Sequence, residues 1–437
     1  MCYNTGMKKM SDYLYHIGMR LRAYPSYQQK RMIRMNGGAS RFVYNRLVAV
    51  HTEMFHLEKT AKTVPVDALR LASLKEAYSD ARHMKNAAPF LWDCDSDMVL
   101  HAMRNYAQAW RHFRTTPGAR IPAFHKHDNT FRYQTSNRYS TAKLRQHDHV
   151  VGLYEGGVRF KDKRHLVLPM LGTIRIKGSA KRIDALLSRT AETRIGTVSI
   201  LMDACGDCYI MLSLGSDEPF HKAYPQTWSA VGIDMNLTNF LTDSDGTVID
   251  PPRYLRQAEA KLRKAQRAVS RRYESAKRDN RDRRTCRNYQ EARRKLAECH
   301  RHVANQRLDF IRRMASREVK SHDYLFAEDL KVRNLKKNHK LAKAISDSGW
   351  RMFLTELQNT AIKRGRVCLL VDPRNTTQTC SSCGHIMAGD EKIVLGQEEW
   401  ICPVCGTHHI RDHNAAVNIK NAGLALLQEA GIPANIR

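Results

Sequence analysis

Apolar and polar side chains alternate from Tyr13 to Leu21 and stop at Tyr24-Pro25, which predicts one strand. From Gln28 to about Phe113 the period lengthens to that of helices. Val99, Met103, Tyr106, Trp110 and Phe113 recur at 4-3-4-3 spacing, a stripe read as core rather than as a platform for stacking bases. Between Thr116 and Leu214 short β-like runs take over, broken by Gly and Pro, among them Leu166 to Pro169 and Thr173 to Ile176. They predict a small antiparallel barrel or sandwich that the N-terminal strand joins. Val198 to Met202 and Tyr209 to Leu212 read as a hairpin turned at Gly206-Asp207. Cys205 and Cys208 are then turn residues, since no second Cys or His pair lies nearby to complete a metal site.

A new pattern begins near Trp228. Ala230 to Ile233 is a short, wholly apolar run of the kind that forms a buried strand, and it ends on Asp234. Leu237 to Thr242 and Thr247 to Ile249 read as its hairpin partners, turned at Asp245-Gly246. A long helical stretch follows, with Leu255, Leu262 and Val269 on a heptad seam, a break at Arg278-Asp279-Asn280, and a returning helix marked by Leu296, Val303, Phe310 and Met314. Tyr324 to Ala327 is another buried run, closed by Glu328. Cys368 to Val371 is a further strand, and Ala415 to Gln428 is a helix.

Charge changes the picture of the middle segment. Residues 251–320 carry 23 Lys or Arg against 8 Asp or Glu, half of the chain's formal net charge of +30. A surplus of that size points to a polyanionic partner, and the hairpin reads as an arm that tracks phosphates. In 437 residues there is room for two to four domains. No apolar run approaches the roughly 18–20 residues of a membrane span, and Met1 to Ser11 lacks the apolar core of a signal peptide. The expectation is a reduced, cytoplasmic, nucleoid-associated protein whose Cys2, Cys94, Cys286, Cys299 and Cys368 are ordinary thiols.

Candidate chemistry sits near the C-terminus. Cys380-Ser-Ser-Cys383 and Cys402-Pro-Val-Cys405 are two knuckles at the spacing of a four-thiolate structural Zn²⁺ site, each followed by a Gly that lets the chain turn beneath the metal. Asp234 and Glu328 close apolar strands, and Asp412 opens a helix directly behind the second knuckle. Carboxylates so placed can converge on one spot and bind Mg²⁺ through oxygen. A pair of such ions activates water and stabilises the leaving oxygen of a phosphodiester. Asp329 stands beside Glu328, and alternation points only one of the two at such a site.

Trp228 to Asn236, Leu325 to Asn334, Ile345 to Trp350, Thr376 to Gly384 and Cys402 to Asn418 together resemble TnpB. This is the insertion-sequence-encoded family of RNA-guided DNA endonucleases related to miniature type V CRISPR effectors. Arg20 to Pro25 with Gln28, Arg41 to Asn45 and Leu166 to Gly172 extend the likeness over most of the chain. Its most specific part is Cys-Pro-x-Cys-Gly followed by Arg-Asp-x-Asn-Ala-Ala, from Cys402 to Ala416.

The resemblance implies a multidomain α/β protein. Its parts would be a wedge β-barrel (first strand in 1–27, the rest in 116–226), a helical recognition lobe (28–115), a RuvC-type, RNase H-like nuclease domain (227–373, with the basic arm at 251–320), a zinc-ribbon insertion that binds target nucleic acid (374–409), and a final catalytic helix (410–437). Asp234, Glu328 and Asp412 would be the catalytic, Mg²⁺-binding acids, and Cys380, Cys383, Cys402 and Cys405 the Zn²⁺ ligands. The partners implied are a guide RNA and double-stranded target DNA, with a short motif read beside the target. Three alternatives remain open: an RNA-guided DNA-binding repressor that cuts weakly or not at all, a miniature type V CRISPR effector, and a transposase that acts without RNA. Asn236 departs from the family, which usually has Gly two residues after the first acid. Asn tolerates a left-handed backbone, so the turn survives, and its side chain is expected to crowd the site.

Overall fold

The computed structural model describes residues 8–60, 80–126, 129–140, 151–335, 337–394 and 396–433. The chain divides into two compact units, Met1–Phe220 and His221–Arg437. Residues 61–79, within the stretch expected to be helical, lie outside the described residues.

In the first unit seven strands make one antiparallel sheet. They are β1 (Tyr15–Tyr24), β2 (Phe131–Ser136), β3 (Arg159–Asp162), β4 (His165–Leu168), β5 (Gly172–Lys177), β6 (Arg194–Met202) and β7 (Cys208–Ser216). Their order is β2-β6-β7-β1-β5-β4-β3, so the N-terminal strand sits at the centre, as its predicted membership requires. No ladder joins β2 to β3 among the described residues, and the hydrogen bonding therefore does not close into the expected barrel. The β6–β7 turn carries Gly206 at φ +83° and pairs Met202 with Cys208, which is buried, as the hairpin reading requires. Helices α1 (Tyr27–Thr60), α2 (Ala81–Ala87), α3 (Ser96–Thr115) and α4 (Ala180–Leu187) complete the unit. On α3, Val99 and Tyr106 are buried and Met103 and Trp110 pack partly against the same core, so the stripe is core.

The second unit is built on a mixed five-stranded sheet of β8 (Ala230–Asp234), β9 (Leu241–Asp243), β10 (Val248–Ile249), β11 (Tyr324–Glu328) and β12 (Val367–Val371), in the order β10-β9-β8-β11-β12. β8, β11 and β12 run parallel, and β9 and β10 form the antiparallel side. Every residue of β8 is buried, which explains its unbroken apolar run. β9 is shorter than the predicted Leu237–Thr242. Residues 237–240 are drawn into a turn because Asn236 Oδ1 accepts the Asn239 N–H at 2.6 Å.

The basic arm is a helical hairpin of α5 (Tyr254–Arg278) and α6 (Arg287–Ser321), packed along each other. α5 ends where the break is predicted, with Asp279 as its C-cap and Asn280 at φ 46°. Leu255, Leu262, Val269 and Leu296 are only half-buried, whereas Val303, Phe310, Ile311, Ala315 and Val319 of α6 enter the core. α7 (Val332–Leu335), α8 (His339–Ser348) and α9 (Trp350–Lys363) lead into β12. A two-stranded sheet of β13 (Glu399–Ile401) and β14 (His408–Ile410) then precedes α10 (Arg411–Glu429). No helix among the described residues is long and apolar enough to cross a membrane.

Candidate active site

Strand alternation sorts the side chains of the second sheet. Val231, Ile233, Leu325 and Ala327 join the core with α6 and α9, while Ala230 and Phe326 pack with Ile419 and Leu427 of α10. By the period of two, Gly232, Asp234 and Glu328 share that second face. Asp234 and Glu328 lie at the carboxyl ends of neighbouring parallel strands, where Ala327 is registered with Ile233. Glu328 is buried and Asp329 exposed, so alternation chooses Glu328 as expected.

Gly232 brings the third acid in. A Cβ there would lie 2.0 Å from the Ala416 carbonyl oxygen and 2.5 Å from the Lys420 nitrogen, so α10 rests directly on the strand backbone. Asp412 is one helical turn before Ala416, about 6 Å along the axis. Asp234 is two residues beyond Gly232, about 6.6 Å along the strand. Asp412 also sits in the first turn of α10, where the helix dipole favours a negative charge.

The charges of Glu328 and Asp412 reach Asp234. Burial pushes the Asp234 carboxyl up to about 8, with the charges of Glu328 and Asp412 adding to the rise. Burial also raises Glu328, opposed by the Thr376 hydroxyl, which donates to Glu328 Oε1 at 2.6 Å. Asp412 is held on both oxygens. Arg411 Nε donates to Oδ1 at 3.1 Å, and Asn236 Nδ2 donates to Oδ2 at 2.8 Å. Two buried carboxylates and a half-buried third, with Asp234 repelled by the other two, are oxygen donors of the type a hard divalent cation takes. Asp412 also lines a cleft of about 450 Å³, with Thr238, Asn239, Thr242, Glu398, Ile410 and His413 among the other lining residues.

The four cysteines also meet. One Sγ each from Cys380, Cys383, Cys402 and Cys405 lies within 4.8 Å of the others, and the Cys380–Cys405 and Cys383–Cys402 pairs stand at 3.6 Å. All four are free of disulfides. Tetrahedral Zn²⁺ with bonds near 2.3 Å places its sulfurs about 3.8 Å apart, so the group fits. The Thr407 hydroxyl and amide hold the Cys405 thiol down, to about 6, which favours the thiolate. His409 Nε2 lies 3.0 Å from Cys380 Sγ, with its ring tilted against Trp400.

Residues 214–339 match the OrfB_IS605 family, described as "Probable transposase", and residues 350–419 match "Cas12f1-like, TNB domain". Residues 10–59 match a "Helix-turn-helix domain", although here that stretch contains β1 followed by the single helix α1. A "Putative RNA-guided DNA endonuclease" of Streptomyces pristinaespiralis is 28% identical over 409 residues, 93% of this chain and 89% of that protein. The "Putative RNA-guided DNA endonuclease InsQ" of Escherichia coli (strain K12) is 28% identical over 424 residues, covering 92% and 91%. Over most of its length the chain is similar to these OrfB and RNA-guided endonuclease relatives. A solved Cas12f1–sgRNA–target DNA complex aligns over 93% of this chain and 99% of its own at 11% identity, with a TM-score of 0.48.

Three side chains at this site, Thr376, Asn414 and Asn418, escaped the sequence reading. Thr376 stood inside a matched motif without a role, and its partner Glu328 is 48 residues away. Asn414 and Asn418 of α10 bind the loop that enters the first knuckle. Asn414 Nδ2 donates to the Thr379 carbonyl at 2.8 Å and its Oδ1 accepts from Ser381 N at 2.9 Å, while Asn418 Nδ2 donates to the Thr376 carbonyl at 2.9 Å. Asn236 has no left-handed backbone, contrary to expectation. Its side chain closes the turn, so no positive φ is needed, and it grips Asp412. Asn414 and Asn418, one helical turn apart, were the one available signal for the α10 contacts, and that spacing carries no direction by itself.

Proposed function

We propose that this chain is an RNA-guided DNA endonuclease with a RuvC-type, RNase H-like second unit, hydrolysing phosphodiesters at Asp234, Glu328 and Asp412. The observation that carries this reading is the convergence of these acids from β8, β11 and the first turn of α10 on one sheet face. Two Mg²⁺ ions held there would supply charge that eases deprotonation of the attacking water and stabilises the leaving oxygen. The chain's own residues orient the acids: Thr376 holds Glu328, and Arg411 and Asn236 hold Asp412. Zn²⁺ at Cys380, Cys383, Cys402 and Cys405 would staple residues 374–409 as a ribbon that grips target nucleic acid. The α5–α6 hairpin, with its surplus of Arg and Lys, suits phosphate contacts. Residues 28–115 would serve as the recognition lobe and 1–27 with 116–226 as the wedge, the two together holding the guide and reading the flanking motif.

The test is to purify the protein with its co-purifying RNA, sequence that RNA, and offer matched double-stranded DNA with Mg²⁺. The expected result is a discrete cut that Asp234→Ala abolishes. Cutting that persists in Asp234→Ala overturns the site, and binding without cutting at any divalent metal returns the repressor reading.

A further inference from the structure

We propose that Asn236 is a positioning residue that clamps Asp412 to the end of β8 and sets that carboxylate for cation binding, an inference that rests on the metal-dependent reading above. The amide has one orientation open to it. Its Oδ1 accepts the Asn239 backbone N–H at 2.6 Å, and a backbone N–H can only donate, so oxygen must face the turn. The Nδ2 group is then left to face Asp412 Oδ2, at 2.8 Å. A local turn two residues beyond Asp234 thereby locates a carboxylate 176 residues later in the chain.

Arg411 completes the grip from the other side, with Nε and a terminal guanidinium nitrogen each 3.1 Å from Asp412 Oδ1. With a donor on each oxygen, the carboxylate cannot rotate freely. A metal ligand that is already oriented forfeits less freedom on binding. Asp234 is fixed by burial at a strand end and also receives a hydrogen bond from the Asn236 side chain, and Glu328 has Thr376. Asp412 sits in the first, least constrained turn of α10, and no side-chain N-cap secures that turn. The clamp therefore acts on the acid whose backbone is least held.

Two substitutions separate clamp from turn. Asn236→Ser keeps an oxygen able to accept the Asn239 N–H but is too short to reach Asp412, whereas Asn236→Gly removes both contacts. The readout is Mn²⁺ binding to the protein–RNA complex by electron paramagnetic resonance, counted as the difference from the Asp234→Ala complex, together with kcat and KM on matched DNA. Both variants are expected to raise the half-saturating Mn²⁺ concentration about tenfold and lower kcat about tenfold, as for loss of one hydrogen bond to a charged group. KM for DNA should not move. If Asn236→Ser matches the wild type in Mn²⁺ binding and kcat while Asn236→Gly only lowers the melting temperature, Asn236 is a turn residue and the clamp is overturned. If the wild type shows no Mn²⁺ that Asp234→Ala removes, the clamp and the functional reading fall together.

Discussion

Thr376 donates its hydroxyl proton to Glu328 Oε1 at 2.6 Å, tying the loop that leads into the cysteine cluster to the end of β11. This bond opposes the rise that burial imposes on Glu328. Thr376→Val preserves shape and removes the donor. Cleavage should fall about tenfold, with guide RNA retention unchanged, and Thr376→Ser should restore most of it. Single-turnover rates on matched DNA decide the matter, and a Val variant at wild-type speed would refute the role.

Gly232 is the point where α10 meets the sheet. In Gly232→Ala the new Cβ would meet backbone at 2.0 and 2.5 Å, which no rotamer change relieves. The second unit should lose about 3 kcal/mol in urea unfolding, and cleavage should be lost as Asp412 is displaced. Gly18→Ala, whose Cβ meets nothing within 4 Å, is the matched control and should leave stability within about 1 kcal/mol of the parent.

The ribbon and the acids share a hydrogen-bonded route. Asn418 binds the Thr376 carbonyl, and Thr376 binds Glu328. Cys402→Ser should abolish one equivalent of zinc, measured by atomic emission, expose residues 374–409 to protease and stop cleavage. Asn418→Ala should keep its zinc yet cleave about tenfold more slowly. Full activity in Asn418→Ala would show that the ribbon acts on nucleic acid alone.

Glu318 offers a pH test away from the three candidate acids. It is 1% exposed, and burial, with Asp243 nearby, pushes its carboxyl up to about 7. The folded state thus holds its proton more tightly than the unfolded chain does, so Glu318 costs stability progressively from about pH 4.5 to 7, and fully above that range. Glu318→Gln should therefore gain in melting temperature over the parent across that window and hold the gain at pH 8. At 1.36 kcal/mol per pH unit the gain is on the order of 3 kcal/mol at most. His322, 3.8 Å away and lowered by burial, works oppositely, losing its contribution as pH falls below about 6.5. A difference between variant and parent that does not change with pH would rule out this role for Glu318.

Much of this protein was readable one window at a time. Asp234 and Glu328 announced themselves because a buried parallel strand must be apolar throughout, which makes a terminal acid conspicuous. The cysteine quartet was readable because metal-ligand spacing is set by local chain geometry. The arm's break at Arg278 was equally local. The strand expected from Leu237 was not, since apolar content there cannot reveal that Asn236 takes the Asn239 N–H and bends the chain away.

By itself, then, the sequence determined where the candidate acids and cysteines stand and which elements present them, because periodicity and ligand spacing act over a few residues. Only the tertiary structure decided which side chain holds which acid. Asn236 finds Asp412, and Thr376 finds Glu328, only once α10 lies against the sheet. That placement depends on the missing Cβ of Gly232 facing a helix backbone nearly two hundred residues further on, a contact between distant surfaces that no local pattern encodes.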